Sequence, residues 1–139
     1  MTVFDTDVFV EILLGNPRFV DRATVIPVSQ QSITIVTVEE ILRGRLHAIR
    51  QAEAGKSLIS ITQAYDFLEQ SVDDFQRLTV LPYSKEADSI FHDWRKQKIR
   101  VSTHDLRIAA ICMAHAAILT SRNRRDFEQI PRLNLCSWD

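Results

Sequence analysis

Three observations in the sequence predict an α/β domain with a central parallel sheet. Short apolar, β-branched runs recur along the chain. Longer amphipathic stretches at helical spacing separate them, and no linker, repeat or compositional break divides residues 1–139, so a single domain is expected. Strands alternating with helices favour parallel pairing, because each return to the same edge of a sheet needs a long crossover. The expected architecture is an α/β/α sandwich with a helical hairpin in the middle of the chain.

Thr2 to Asp5 reads as a short buried strand ending on acids. Asp7 to Leu14 places Val8, Phe9, Ile12 and Leu13 at helical spacing and stops at Gly15. Arg18 to Ile26 predicts another short helix, and Ser32 to Val36 a second strand. Thr37 with Glu40 three residues on reads as a capping box opening a long helix to about Ala54, closed by Gly55. Ser57 to Arg77 forms the second arm of the hairpin, with Leu58, Ile61, Tyr65 and Leu68 read first as core positions. Leu78 to Leu81 is a third strand, stopped by Pro82. A helix from Ser84 to about Lys98 carries Ala87, Ile90, Phe91 and Trp94 on one face. His104 to Ala116 is an apolar helix, Ala117 to Ser121 a fourth strand, and Leu133 to Leu135 a short fifth one.

Composition narrows the chemistry. Seventeen basic against 18 acidic residues leave a net charge of −1, so any polyanion must be met by a local patch. Only three glycines argue against glycine-rich phosphate loops. Cys112 and Cys136 lack metal-ligand spacing and make no disulfide framework. They read as small buried residues of a protein in a reducing cytoplasm. The opening MTVFDTDVFV carries acids inside its apolar stretch, unlike a secretory leader. No apolar run approaches the ~20 residues of a membrane span.

Four acids fall where strands end or helices begin: Asp5, Glu40, Asp105 and Asp126. The carboxyl ends of parallel strands form the ligand crevice of such sheets. Carboxylates converging there repel one another unless a cation is present, and oxygen-only donors suit Mg²⁺ or Mn²⁺. Each acid also has an ordinary structural use open to it. Asp5-Thr6-Asp7 fits a strand-end turn, Glu40 a capping box, and Asp105 and Asp126 helix starts favoured by the macrodipole.

At these residues the sequence resembles the PIN-domain ribonucleases, and among them the VapC toxins of toxin–antitoxin pairs. VFDTDVFV is similar to the family's opening strand and Asp-Thr-Asn, with Asp7 in place of the more usual Asn. TVEEILRG aligns Glu40 and Gly44 with T-x-x-E-L-x-x-G, and Asp105, Ile108, Ala109 and Ala110 reproduce D-x-x-I-A-A. LTSRNRRDFEQIPRLNLCSW closely follows the C-terminal signature, so the likeness runs from Val3 to Trp138. It implies a magnesium-dependent endoribonuclease, with Mn²⁺ as a substitute, that cuts tRNA or ribosomal RNA. It further implies a homodimer neutralised by a cognate antitoxin. Asp5, Glu40 and Asp105 would hold the metal, with Asp126 preferred as the outer ligand for its charge. Thr6, Asp7, Ser121 and Asn123 stand beside them as candidate supporting residues, Asn123 being the other choice for the outer position. Glu39 points about 100° away from Glu40 on a helix and is not assigned to the metal.

Two basic clusters flank these acids. Arg95, Lys96, Lys98 and Arg100 precede Asp105, and Arg122, Arg124 and Arg125 precede Asp126. They are candidates for RNA phosphates or, in the simpler reading, solvated helix ends. Arg43 and Arg45 fit either RNA or an acidic antitoxin segment. His104, beside Asp105, reads as a capping or surface histidine. Two rivals remain. Asp5-Thr6-Asp7-Val8 also fits the nucleophile motif of haloacid dehalogenase-type phosphatases, with Asp5 attacking phosphorus. A PIN domain without activity could serve only as an interaction module.

Overall fold

A computed structural model describes residues 1–139. Strand β1 (Thr2–Phe4) is followed by helices α1 (Thr6–Leu13) and α2 (Pro17–Thr24), a 3₁₀ turn at Val28–Gln30 and strand β2 (Gln31–Thr34). The hairpin is α3 (Ile35–Glu53) and α4 (Ile61–Phe75), leading to β3 (Thr79–Leu81). Helices α5 (Lys85–Lys96) and α6 (Thr103–Ala114), strand β4 (Ile118–Ser121), short α7 (Arg124–Phe127) and β5 (Leu135–Ser137) complete the chain.

All five strands are parallel, in the order β3-β2-β1-β4-β5. The expected sheet and its flanking helices are therefore present. Consecutive residues of each strand feed opposite faces, as the pleat requires. Val3, Leu81 and Leu119 enter the larger core with α5 and α6, including Phe91, Trp94, Leu106, Ile108 and Ile111. Phe4, Ile33 and Val80 turn to the smaller core, where α1 and α2 supply Val8, Phe9 and Phe19. Trp138 seals that core, its ring centroid 5.8 Å from Phe4 and 6.5 Å from Phe19. The C-terminal signature thus closes the sheet as well as bordering the site.

Several boundaries differ from the sequence reading. The second strand ends at Thr34, whose hydroxyl accepts from the Thr37 N–H at 3.2 Å and caps α3. Ile35 and Val36 are therefore helical, and the Thr37–Glu40 capping box does not form. Their β-branching suggested strand, but the cap and the packing of Val36 against the larger core decide otherwise. A true capping box opens α4 instead, between Ser60 and Gln63. The fifth strand lies at Leu135–Ser137, two residues later than expected, and α7 had no periodic signal in four residues.

The hairpin is more open than its spacing suggested. Leu58, Ile61, Tyr65 and Phe67 are exposed, while Ala64 and Ser71 are buried. Arg45 of α3 donates to the Ser71 hydroxyl at 2.9 Å and covers the Phe67 ring at 5.4 Å. Cys112 is buried in α6, whereas Cys136, expected inside, is exposed on the edge strand β5. No helix is long and apolar enough to cross a membrane.

Leu119, fully buried on the inner strand β4, is the sharpest probe of this core. Leu119→Ala should lower unfolding free energy by about 2–5 kcal/mol, read as a reduced urea midpoint. A loss below about 1 kcal/mol would mean the site can collapse around the vacancy.

Candidate active site

Strand order reverses between β1 and β4, because β1 connects outward to β2 on one side while β4 lies on the other. A sheet of this kind opens a crevice at that point, beyond the carboxyl ends of the strands. Asp5 sits there. Its N–H makes the last ladder bond, to the Thr120 carbonyl at 2.9 Å, and its side chain then caps α1. One carboxylate oxygen accepts from the Thr6 N–H at 2.8 Å and the other from the Ser121 hydroxyl at 2.7 Å. The Ser121 contact spans the split between the two central strands.

Thr6 extends the network toward α3. Its hydroxyl donates to Glu40 Oε1 at 2.8 Å, which leaves Thr37, 2.9 Å away, to donate to Thr6. Beyond Glu40 stands His104, with Nδ1 3.6 Å from Glu40 Oε2 and Nε2 3.5 Å from Glu39 Oε1. Glu39 shares His104 with Glu40 and also pairs with Arg43 at 2.9 Å.

Asp105 enters from the first turn of α6, whose N-cap is Ser102. Asn123 links it to the remaining acid: its amide donates to Asp105 Oδ2 at 3.3 Å and to Asp126 Oδ2 at 3.0 Å. The Asn123 N–H donates to the Ser121 hydroxyl at 2.9 Å, joining this branch to Asp5. Asn123 therefore reaches Asp105 directly, while Asp126, the outer acid preferred from sequence, is tied to Asp105 through that amide. Asp7 stays exposed in the first turn of α1, beside the cluster.

Burial pushes the Asp5 carboxyl up to about 7, with the charges of Asp105 and Asp7 adding to the rise and the Ser121 and Thr6 hydrogen bonds opposing it. Asp105 is likewise raised, first by burial, with Glu40, Asp126 and Asp7 as the repelling charges. No lysine or arginine forms an ion pair with Asp5, Asp7, Glu40, Asp105 or Asp126. Negative charge without a fixed counter-charge, presented entirely by oxygen donors, fits a hard divalent cation. No three acidic, histidine or cysteine side chains close a ready-made ligand shell. Mg²⁺ does not require one, since it keeps several waters and combines one or two carboxylates with substrate phosphate.

The basic candidates divide. Arg95 is committed to the chain itself, donating to the Ile99 and Val101 carbonyls at 3.2 and 3.0 Å and to the Thr103 hydroxyl at 3.1 Å. It braces the loop before α6, which its sequence position alone did not disclose. Arg124 pairs with Glu128 one turn along α7. Lys98 and Arg100 are exposed on the loop, with Lys98 at φ 60°. Arg122 crosses to α1, 3.4 Å from Glu11. Sequence reasoning passed over Arg18 and Ser102 and read Thr37 only as a cap. Nothing local marks Arg18, because its neighbourhood forms only when α2 meets the residues that follow β4.

This architecture is the PIN-type α/β/α fold, carrying an acid cluster at its topological switch point. Ribonuclease VapC1 of Rickettsia felis is 36% identical to this chain over 61 residues, covering 41% of the chain and 46% of that protein. The match thus spans just under half of that relative's length. No family model matches the chain. Among solved structures, DNA-bound VapBC from Salmonella typhimurium has a chain 22% identical, with a TM-score of 0.76, over 99% of this chain and 98% of that one. VapBC-1 from nontypeable Haemophilus influenzae has one 17% identical, TM-score 0.76, over 99% and 97%. The VapC-type resemblance carried by the sequence motifs is borne out by both kinds of comparison, and the fold is that of these structures.

The raised Asp5 carboxyl gives a pH test. Unfolded, Asp5 loses its proton near 3.8; folded, it keeps it to about 7. The folded state therefore binds the extra proton between those values, and this group's contribution to stability falls as pH rises through that window. In EDTA, the urea midpoint of the parent should drop between pH 5 and 7.5 relative to Asp5→Asn, which lacks this titration. A parent midpoint that rises relative to Asp5→Asn contradicts burial as the dominant influence.

Proposed function

We propose that this chain is a divalent-metal-dependent endoribonuclease of the VapC type. The observation that carries the reading is the meeting of Asp5, Glu40 and Asp105 around the β1–β4 split, joined through Thr6, Ser121 and Asn123. Asp5, Glu40 and Asp105 would hold the ion, with Asp126 or Asn123 at its outer side. A bound Mg²⁺ or Mn²⁺ supplies a water of lowered pKa and neutralises phosphate charge at the scissile bond.

The chain's own groups prepare that site. Ser121 and the Thr6 N–H fix both oxygens of Asp5, so its rotamer is set before substrate arrives. Thr6 does the same for one oxygen of Glu40. Asn123 bridges two like charges by donating to both Asp105 and Asp126. His104 faces Glu40 rather than open cleft, which suits an orienting role better than proton abstraction.

Silencing by a cognate antitoxin is part of this reading, supported by fold neighbours such as a toxin–antitoxin complex from Klebsiella pneumoniae. Cleavage of tRNA or ribosomal RNA and a homodimeric state follow from the family resemblance.

Purified chain should cut RNA with Mg²⁺ or Mn²⁺ and stop in EDTA, with Asp5→Ala and Asp105→Ala inactive. Gel assays on total tRNA and on ribosomal RNA read both activity and target. Unimpaired cutting by both variants would refute the carboxylate site. Hydrolysis of small phosphomonoesters with none of RNA would favour the phosphatase reading. Thr6→Val should keep the fold while lowering cleavage roughly 10–100-fold, the usual effect of freeing a ligand from its orienting partner.

A further inference from the structure

Beside the carboxylate cluster is a cavity of about 460 Å³ lined by Asp7, Arg18, Arg122, Asn123 and Asp139, with no apolar side chain in its wall. Two of these residues belong to the site's border. Asp7 bears electrostatically on Asp5 and Asp105, and Asn123 donates to Asp105 and Asp126. The cavity is therefore contiguous with the place where the scissile phosphate would lie.

Arg122 leaves β4 at its carboxyl end. Ser121 and Asn123 on either side of it contact the acids, while Arg122 itself reaches α1 and α2. There its guanidinium is 3.4 Å from Glu11 and 5.5 Å from the Phe19 ring centroid, so it is positioned before any ligand arrives. Arg18, in the first turn of α2, forms no ion pair, although Asp7 and Asp139 line the same cavity.

We propose that Arg18 and Arg122 form a phosphate subsite that takes a backbone phosphate of RNA adjoining the scissile one. The proposal rests on the nuclease reading and extends it to how the strand is threaded past the acids. A polar wall without an aromatic platform suits the sugar–phosphate chain rather than a base. Guanidinium forks match phosphate oxygens, and two from different elements fix where that phosphate sits. Asp7 and Asp139 keep the cavity from becoming strongly positive. Its contribution is accordingly to register along the strand more than to bulk attraction.

The test is binding of a fluorescein-labelled single-stranded oligoribonucleotide of mixed sequence, by anisotropy in Mg²⁺ over a salt series. An Asp105→Asn background keeps the RNA intact. Arg18→Met with Arg122→Met should weaken binding roughly tenfold and reduce the salt slope by about 0.7–1, the release expected for one phosphate contact. Lys56→Met, at an exposed lysine between α3 and α4 and outside the cavity, should leave the slope unchanged. Arg18→Lys with Arg122→Lys should recover the slope, which separates lost charge from lost packing on Phe19. An unchanged slope in the double Met variant, or an equal loss in Lys56→Met, overturns the subsite. Cutting of RNA by the parent is scored separately. If the parent cuts but the double Met variant keeps its slope, the nuclease reading stands and the subsite falls. If RNA is neither cut nor bound, both fall.

Discussion

The hydrogen bond from Ser121 to Asp5 joins the two strands between which the sheet divides its connections. A carboxylate buried to 5% exposure is costly unless it is hydrogen-bonded or neutralised. Here one oxygen takes the hydroxyl at the end of β4 and the other the first free N–H of α1, so the strand ends and the helix start hold the acid together. From that point the network runs one way through Thr6 to Glu40 and the other through Asn123 to Asp105 and Asp126. The branch through Asn123 exists only while β1 and β4 are in register, which makes the geometry of the acid cluster a consequence of sheet pairing.

What hydrogen bonding accomplishes for orientation it does not accomplish for charge. Asp5 and Asp105 are both raised, and the groups opposing the rise are dipoles and hydroxyls rather than cations. His104 faces Glu40 at 3.6 Å and Glu39 at 3.5 Å. Arg95 and Arg124 are spent elsewhere, on the loop before α6 and on α7. A site left negative in this way would attract a diffusible divalent ion, and on the proposed nuclease reading metal binding and substrate binding would be coupled. The near-neutral net charge of the whole chain conceals a strongly uneven distribution.

Much of the framework was legible because the signals were periodic. The five-stranded order of elements follows from alternating runs, and Gly15 and Gly55, at φ 76° and 68°, close their helices where a left-handed residue was expected. The misreadings came where local preference competes with packing. Ile35 and Val36 have strand composition, yet Thr34 caps them into α3. Ile61 and Tyr65 have core-like spacing, yet α4 packs chiefly on α3 and leaves them exposed. Cys136 is apolar enough for an interior but lies on an edge strand.

The sequence by itself determined which residue types stand at strand ends and helix starts: Asp5, Glu40, Asp105 and Asp126, with hydroxyls at Thr6 and Ser121. That placement is local, set by where apolar periodicity stops. Only the tertiary structure decided which of them meet. Asp5 and Ser121 are separated by 116 positions and are brought together by parallel pairing of β1 with β4. The same pairing put Asn123 against Asp105, turned Arg122 toward α1, and gave Arg18 a neighbourhood that no pattern in the chain announced. Contacts across the switch point depend on strand order and register, which are properties of the folded sheet rather than of any segment within it.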